Sequence, residues 1–274
     1  MPKLFHRVAA VTVDTLKITG LRVEFKVVKT SRPEPNSAEV TIYNISADHR
    51  RKMQVAGVPV LLEAGYESAP GQSTMQQLFL GDMRVAGHKR HGVDWVTKLE
   101  AGDGEKTLRT SKLTESFAAG TRKDAVVKRM LESMKLNVKD AVAKIGEKGL
   151  QGAAEEFYKG ISLSGSTAAE LTRVLDDMGL TWSVQDGAVQ ITKPGEIVGD
   201  LVVLTPATGL VGSPEAGEKG YVKVRSLLNP LIKPSGGIAL DSEAFKGTFR
   251  VEKATYSGDT HGAPWFVDAE VVPV

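Results

Sequence analysis

The feature that most constrains this chain is period-two alternation near its start. In "GLRVEFKVVK" (20–29), Leu21, Val23, Phe25 and Val27 take one face, and Arg22, Glu24 and Lys26 take the other. "AEVTIYNI" (38–45) repeats the pattern, with Val40, Ile42 and Asn44 against Glu39, Thr41 and Tyr43. Side chains alternate across a strand, so runs of this length predict antiparallel strands with one face packed and one wet. Ser46 then offers an N-cap for a short helix in "ADHRRKM". "VPVLLEAGY" (58–66) returns to strand, and "ESAPGQST" reads as a loop. "QLFLGDMRVAG" and "VDWVTKLEAGDG" read as a hairpin pair around "HKRHG".

The middle of the chain changes period. "TRKDAVVKRMLESMKLNV" places Val127, Met130, Leu131 and Met134 on one helical stripe, with Thr121 as the expected N-cap and Asp124 three residues on. "TAAELTRVLDDMGLTWSV" repeats the stripe at Leu171, Val174, Leu175 and Met178, and Gly179 suits the C′ position. Asp186-Gly187 is the turn pair expected of a tight hairpin between Val184 and Val189. Each helix runs into a short apolar strand, at Leu136/Val138 and at Leu180/Trp182/Val184. "KIGEKGLQGAAEEFYKGISLSGS" between them is glycine-rich and expected to be an exposed connection. Beyond Lys193-Pro194-Gly195 the strands are short and bounded by turns. The reading is therefore mainly β with an α+β insertion: a β-domain over 1–106, two amphipathic helices within 107–195, and a second β-domain over 196–274.

Candidate chemistry fails on residue type. "GSPEAGEK" (212–219) has P-loop-like glycines, but Glu218 stands where a lysine is needed and would repel phosphate. "GDGEKT" (102–107) lacks the first half of that motif. His88 and His91, near Asp94, sit beside Lys89 and Arg90, whose charges oppose a cation; the reading is a hairpin tip. Ser162, Ser164 and Ser166 have the wrong spacing for a nucleophile elbow. The five histidines (6, 49, 88, 91 and 261) form no acid–base constellation, Asp176-Asp177 and Glu155-Glu156 read as solvated, and the three tryptophans read as core or interface anchors. With no cysteine, thiolate metal sites, disulfides and cysteine nucleophiles are excluded. A net charge of +2 argues against a nucleic-acid footprint, and "MPKLFHRVAAVTVD" reads as neither signal peptide nor membrane span. The expectation is a non-enzyme with no catalytic, cofactor-binding or metal residues, no cofactor and no membrane contact. Asp259 and His261 in "TYSGDTHGAPW" are expected to be a hairpin turn in which Asp259 bonds nearby amides.

Leu228-Asn229-Pro230, Lys233-Pro234, Gly236-Gly237 and the "YSGDTHGxxW" segment resemble the closing part of baseplate hub proteins of contractile-tailed phages. "SAEVTIYNIS", "VLLEAGYE" and "LFLGDMRV" are similar to the first β-domain of that family. The resemblance implies two tail-tube-like antiparallel β-barrel or sandwich domains flanking a small helix–strand domain. It implies a homotrimer with pseudo-sixfold symmetry, joining a hexameric tail tube protein to a trimeric central spike protein. The tape measure protein and baseplate wedge or sheath-proximal proteins are further partners on that view, the location is the virion tail baseplate, and assembly takes place in the host cytoplasm. Another tube-like ring, such as a distal tail or tube-terminating protein, is the alternative; a hub-associated peptidoglycan hydrolase is a weaker one.

Overall fold

The computed structural model describes residues 6–53, 55–69, 72–147, 150 and 152–274. They fall into two compact units. The first comprises the described residues up to Thr30 with Asn36–Asp103 and Ile197–Val274; the second comprises Ser31–Pro35 and Gly104–Glu196. In chain order the elements are β1 (His6–Val13), β2 (Leu16–Ile18), β3 (Val23–Thr30), β4 (Ser37–Tyr43), α1 (Ala47–Lys52), β5 (Pro59–Ala69), β6 (Gln72–Ser73), β7 (Gln76–His91) and β8 (Asp94–Gly102). The second unit then supplies α2 (Glu105–Thr110), β9 (Lys112–Phe117), β10 (Thr121–Arg122), α3 (Lys123–Ser133), α4 (Lys139–Ile145), β11 (Glu156–Phe157), β12 (Ile161–Ser166), α5 (Thr167–Asp177), β13 (Thr181–Gln185) and β14 (Ala188–Thr192). The chain returns to the first unit with β15 (Leu201–Leu204), β16 (Glu215–Ala216), β17 (Val222–Leu227), β18 (Gly237–Asp241), β19 (Lys246–Asp259) and β20 (Trp265–Pro273).

The first unit is one mainly antiparallel sheet in the order β16-β17-β20-β19-β3-β4-β8-β7-β5-β1-β2, with β18 and β15 branching from β19 and β6 from β5. The alternation read from the sequence sets its layers. Val23, Phe25 and Val27 of β3 and Ala38, Val40 and Ile42 of β4 are buried, while Lys26 and Glu39 are exposed. Burying each of the larger apolar side chains stabilises by about 1.5–3 kcal/mol, and a one-residue slip would turn the whole set outward. The front and back of the chain meet where β3 pairs antiparallel with β19, from Lys253↔Thr30 to Asp259↔Glu24. One hydrophobic cluster then runs from Val11 and Val23 through Leu99 to Tyr256, Trp265 and Val271. Ser46 caps α1, its hydroxyl accepting from the His49 amide at 3.3 Å.

The second unit packs α3, α4 and α5 against short hairpins. Val127, Met130, Leu131, Leu171, Val174, Leu175 and Met178 are all buried, as their helical spacing requires. Gly179 takes φ +67° after α5, and the amide of Leu180 donates to the Leu175 carbonyl at 2.9 Å, closing a Schellman-type end. Asp186 and Gly187 both have positive φ (55° and 80°), the backbone of a type I′ turn between β13 and β14.

The structure corrects several local expectations. Thr121 does not cap α3: it lies in β10, and its hydroxyl donates to the Ala118 carbonyl, while Arg122 occupies the N-cap position. Leu136 and Val138 form no strand; Asn137 makes a lone bridge to Ala188, and Val138 opens α4, whose buried positions are Ala141 and Ile145. The supposed exposed connection carries β12, paired with β9, and buries Leu163 because that strand pair packs in the same apolar cluster as the helices. "GDGEKT", which composition alone would leave as a loop, leads into α2, and Gly104 takes φ +66° at its start. "ESAPGQST" holds the end of β5 and β6, with 70 and 71 outside the described residues. In "HKRHG", residues 88–91 continue β7, and the turn falls at Gly92-Val93.

Candidate assembly surface and the Asp259 loop

The register of the central sheet places every second residue of seven strands on one solvent-facing surface. One row runs Val85, Glu100, Glu39, Lys26, Ser257, Phe266, Leu227 from β7 to β17. Another runs Ser37, Val28, Thr255, Asp268, Arg225. Charges of both signs lie on it: Arg225 donates to both carboxylate oxygens of Asp268 at 2.6 and 3.1 Å, and Lys253 reaches Glu270 at 3.3 Å. A shallow groove of about 500 Å³ lies over Lys223, Arg225, Thr255, Asp268 and Glu270, and a second of about 290 Å³ over Lys26, Glu39 and Thr41. Half-exposed cross-strand pairs like these hold register and water; each contributes little binding energy.

The opposite face explains the glycine of "YSGD". Gly258 lies between Phe25 on β3 and Trp265 on β20. A Cβ there would come within 2.2 Å of Phe25 Cζ. Removing that side chain lets Phe25 meet Trp265 edge-on, with ring centroids 5.4 Å apart at 67°. Tyr66 stacks on the same indole at 6.4 Å, and burial pushes its phenol up to about 12, with the Arg7 charge pulling the other way.

Asp259 closes this layer. Its amide donates to the Pro264 carbonyl at 2.8 Å, so it ends β19 rather than sitting in the loop. Its carboxylate accepts from Arg22 Nη2 at 2.8 Å and Nε at 3.3 Å and from the His261 amide at 2.9 Å. Burial alone would raise its pKa, but the Arg22 fork and the His261 and Gly262 amides together hold it below the usual aspartate value. Thr260 joins the loop to β3: its amide donates to the Val23 carbonyl at 3.0 Å, and its hydroxyl accepts from the Val23 amide at 3.0 Å. Arg7 adds bonds to the Gly262 and Ala263 carbonyls. Gly262 has to be glycine, because a Cβ would lie 2.0 Å from Asp259 Oδ2. His261 Nδ1 lies 2.9 Å from the Thr260 hydroxyl, and no bond from the imidazole to Asp259 occurs among the described residues. Asp259 and His261 are therefore close in sequence but not a proton-relay pair: the carboxylate is saturated by donors and held ionised.

The remaining candidates are dispersed. His88 lies on β7 with Nδ1 3.1 Å from the Thr97 hydroxyl, and burial followed by the nearby Arg50 charge lowers its pKa. His91 pairs across the ribbon with Asp94. No group of three or more potential metal ligands occurs among the described residues. Asp177 and Glu155 are solvent-exposed, and both also pair with the buried Lys123, at 2.6 and 2.7 Å; those carboxylates raise the lysine pKa. Trp182 and Trp265 are core residues, whereas Trp95 is partly exposed beneath Arg50, 4.0 Å from its ring centroid. Sequence reasoning missed the Arg22–Asp259 fork, which joins positions far apart in the chain and leaves no local signal.

The sheet described here is that of phage tail proteins. The 43 kDa tail protein of prophage MuSo2 from Shewanella oneidensis superposes with a TM-score of 0.68 at 7% identity, covering 97% of each chain. A tail protein from Neisseria meningitidis MC58 gives 0.67 at 8% identity, over 97% of this chain and 96% of that one. The Escherichia coli c3393 protein, a component of the type VI secretion system with structural similarity to the T4 tail proteins gp27 and gp5, gives 0.60 at 10% identity, over 96% and 76%. No curated protein matches the chain in sequence. Residues 8–271 match the family described as "Baseplate hub gp41", and the chain belongs to that family. It is a structural protein of the phage tail baseplate and a component of the virion tail.

Proposed function

We propose that three copies of this chain form a pseudo-sixfold ring that joins a hexameric tail tube to a trimeric central spike. The observation that carries this reading is the β3–β19 joint. Residues from the front and back of one chain pair there as two subunits of a tube would, so each chain brings two tube-like halves, 1–106 and 196–274, around the 107–195 insertion. Three such chains match a sixfold neighbour on one side and a threefold neighbour on the other. The face that crosses the joint suits the wall of the bore, since its central strands carry charges of both signs that stay wet. The protein acts as an adaptor without catalysis, cofactor or membrane contact, in keeping with an Asp259 whose lone pairs are already taken.

The test is a reconstruction of assembled tails by electron microscopy. Three copies at the tube tip, with the two halves of each copy at successive sixfold positions, is the expected result. Six copies per ring would overturn it in favour of a distal tail or tube-terminating protein.

A further inference from the structure

Among the open strand edges of the first unit, two carry opposite charge. β7 pairs with β5 only as far as Asp82. After the bulge between Met83 and Val85, its outer edge from Val85 to His91 has no strand partner among the described residues. That edge and its turn expose Val85 (50%) and Val93 (87%), and Lys89 and Arg90 have no ion pair among the described residues. The second open edge is β15, paired parallel with β18 on one side only. It exposes Leu201 (49%) and Val203 (57%). Asp200 precedes it and Glu243 follows its partner strand, neither with a basic partner among the described residues. The Val203 carbonyl on it accepts from the Thr208 hydroxyl at 2.9 Å.

Natural monomers blunt long edges because open backbone groups recruit other chains. Here both edges add apolar side chains instead, and their charges would repel a like edge and attract the other. We infer that the β7 edge of one copy docks against the β15 edge of the next, with Val85 and Val93 facing Leu201 and Val203, and Lys89 and Arg90 facing Asp200 and Glu243. The contact is heterologous: different surfaces of the same chain meet, so repetition closes a ring instead of stopping at a dimer. This inference rests on the ring reading above and names the surfaces that make it.

The chain has no cysteine, so engineered thiols report cleanly. Tails assembled from a mixture of Lys89→Cys and Val203→Cys chains are treated with a short bis-maleimide. A covalent dimer from the mixture, and none from either variant alone, is expected; the double variant should give a ladder that ends at three chains. Reversing charge in Arg90→Glu should abolish the cross-link, and adding Asp200→Lys should restore it. Intact trimeric tails that yield no mixed product overturn this inference and leave the ring reading standing. Cross-linking by a single variant alone overturns it too, because it shows like surfaces meeting. Tails with another copy number remove the ring reading itself.

Discussion

Replacing Gly258 by alanine tests how tightly the front and back of the chain are packed together. The added methyl would lie 2.2 Å from Phe25 Cζ and 2.5 Å from Cε1, against an ordinary carbon–carbon contact of about 3.5–4 Å. Phe25 is 5% exposed and Trp265, against which it packs, 1%, so the ring has no solvent to retreat into. Overpacking of this kind costs about 1–3 kcal/mol, and a spoiled aromatic pair costs about 0.5–1.5 kcal/mol more. Against that, alanine recovers about 0.5–1 kcal/mol of the backbone entropy that glycine loses in a strand. The net expectation is a loss of about 1–3 kcal/mol from the first unit. For a unit of this size that corresponds to a fall of roughly 2–10 °C in Tm. Urea and thermal unfolding followed by tryptophan fluorescence and circular dichroism would measure it. The cause is separable, because in a Phe25→Ala background the ring is gone and Gly258→Ala should cost nothing further. Equal or greater stability in the single variant, or an undiminished loss without the ring, would refute the packing argument.

Two further perturbations address other parts of the chain. Asp259 has a lowered pKa in the folded state, so its contribution is present above the unfolded value near 3.9 and is lost as pH falls through the folded one. Acid titration of stability should therefore be shallower in Asp259→Asn than in the parent below about pH 4; identical slopes would mean that the Arg22 fork is not formed in solution. Gly187→Val places a β-branched residue at φ 80° in the β13–β14 turn and should cost about 1–2 kcal/mol, confined to the second unit and visible as protection lost in its amide exchange.

Local patterns were legible where one physical rule decides the outcome. Period two fixed the buried faces of β3 and β4, the helical stripes of α3 and α5 were set by spacing alone, and Asp186-Gly187 announced its turn because few residue pairs tolerate two positive φ values. Competing local signals caused the misses. Thr121 satisfies every compositional rule for an N-cap, yet its hydroxyl turns back to the Ala118 carbonyl, because 121–122 are held as a strand against 156–157. The histidines and basic residues of "HKRH" look like a turn by composition, but pairing with Asp94–Thr97 holds them extended. Composition predicts a hairpin connection in "TYSGDTHGAPW" with Asp259 bonding nearby amides, and the His261 amide does donate to it. Thr255–Asp259 nevertheless belong to β19, because β3 and β20 flank them. That pairing joins residues more than two hundred positions apart, which no local pattern encodes. The family resemblance rested on the same segment, and the structure explains why its residues are so particular: Gly258 makes room for Phe25, Gly262 for the Asp259 carboxylate, and Thr260 bonds both backbone groups of Val23.

The central claim is that one chain supplies two tube-like halves, so that three chains make a sixfold-matching ring on a trimeric spike. Native mass spectrometry of the purified chain in complex with its own spike protein tests it most directly. The account predicts a single species of three chains and three spike subunits; six chains on one spike, or any ratio other than one to one, would contradict it.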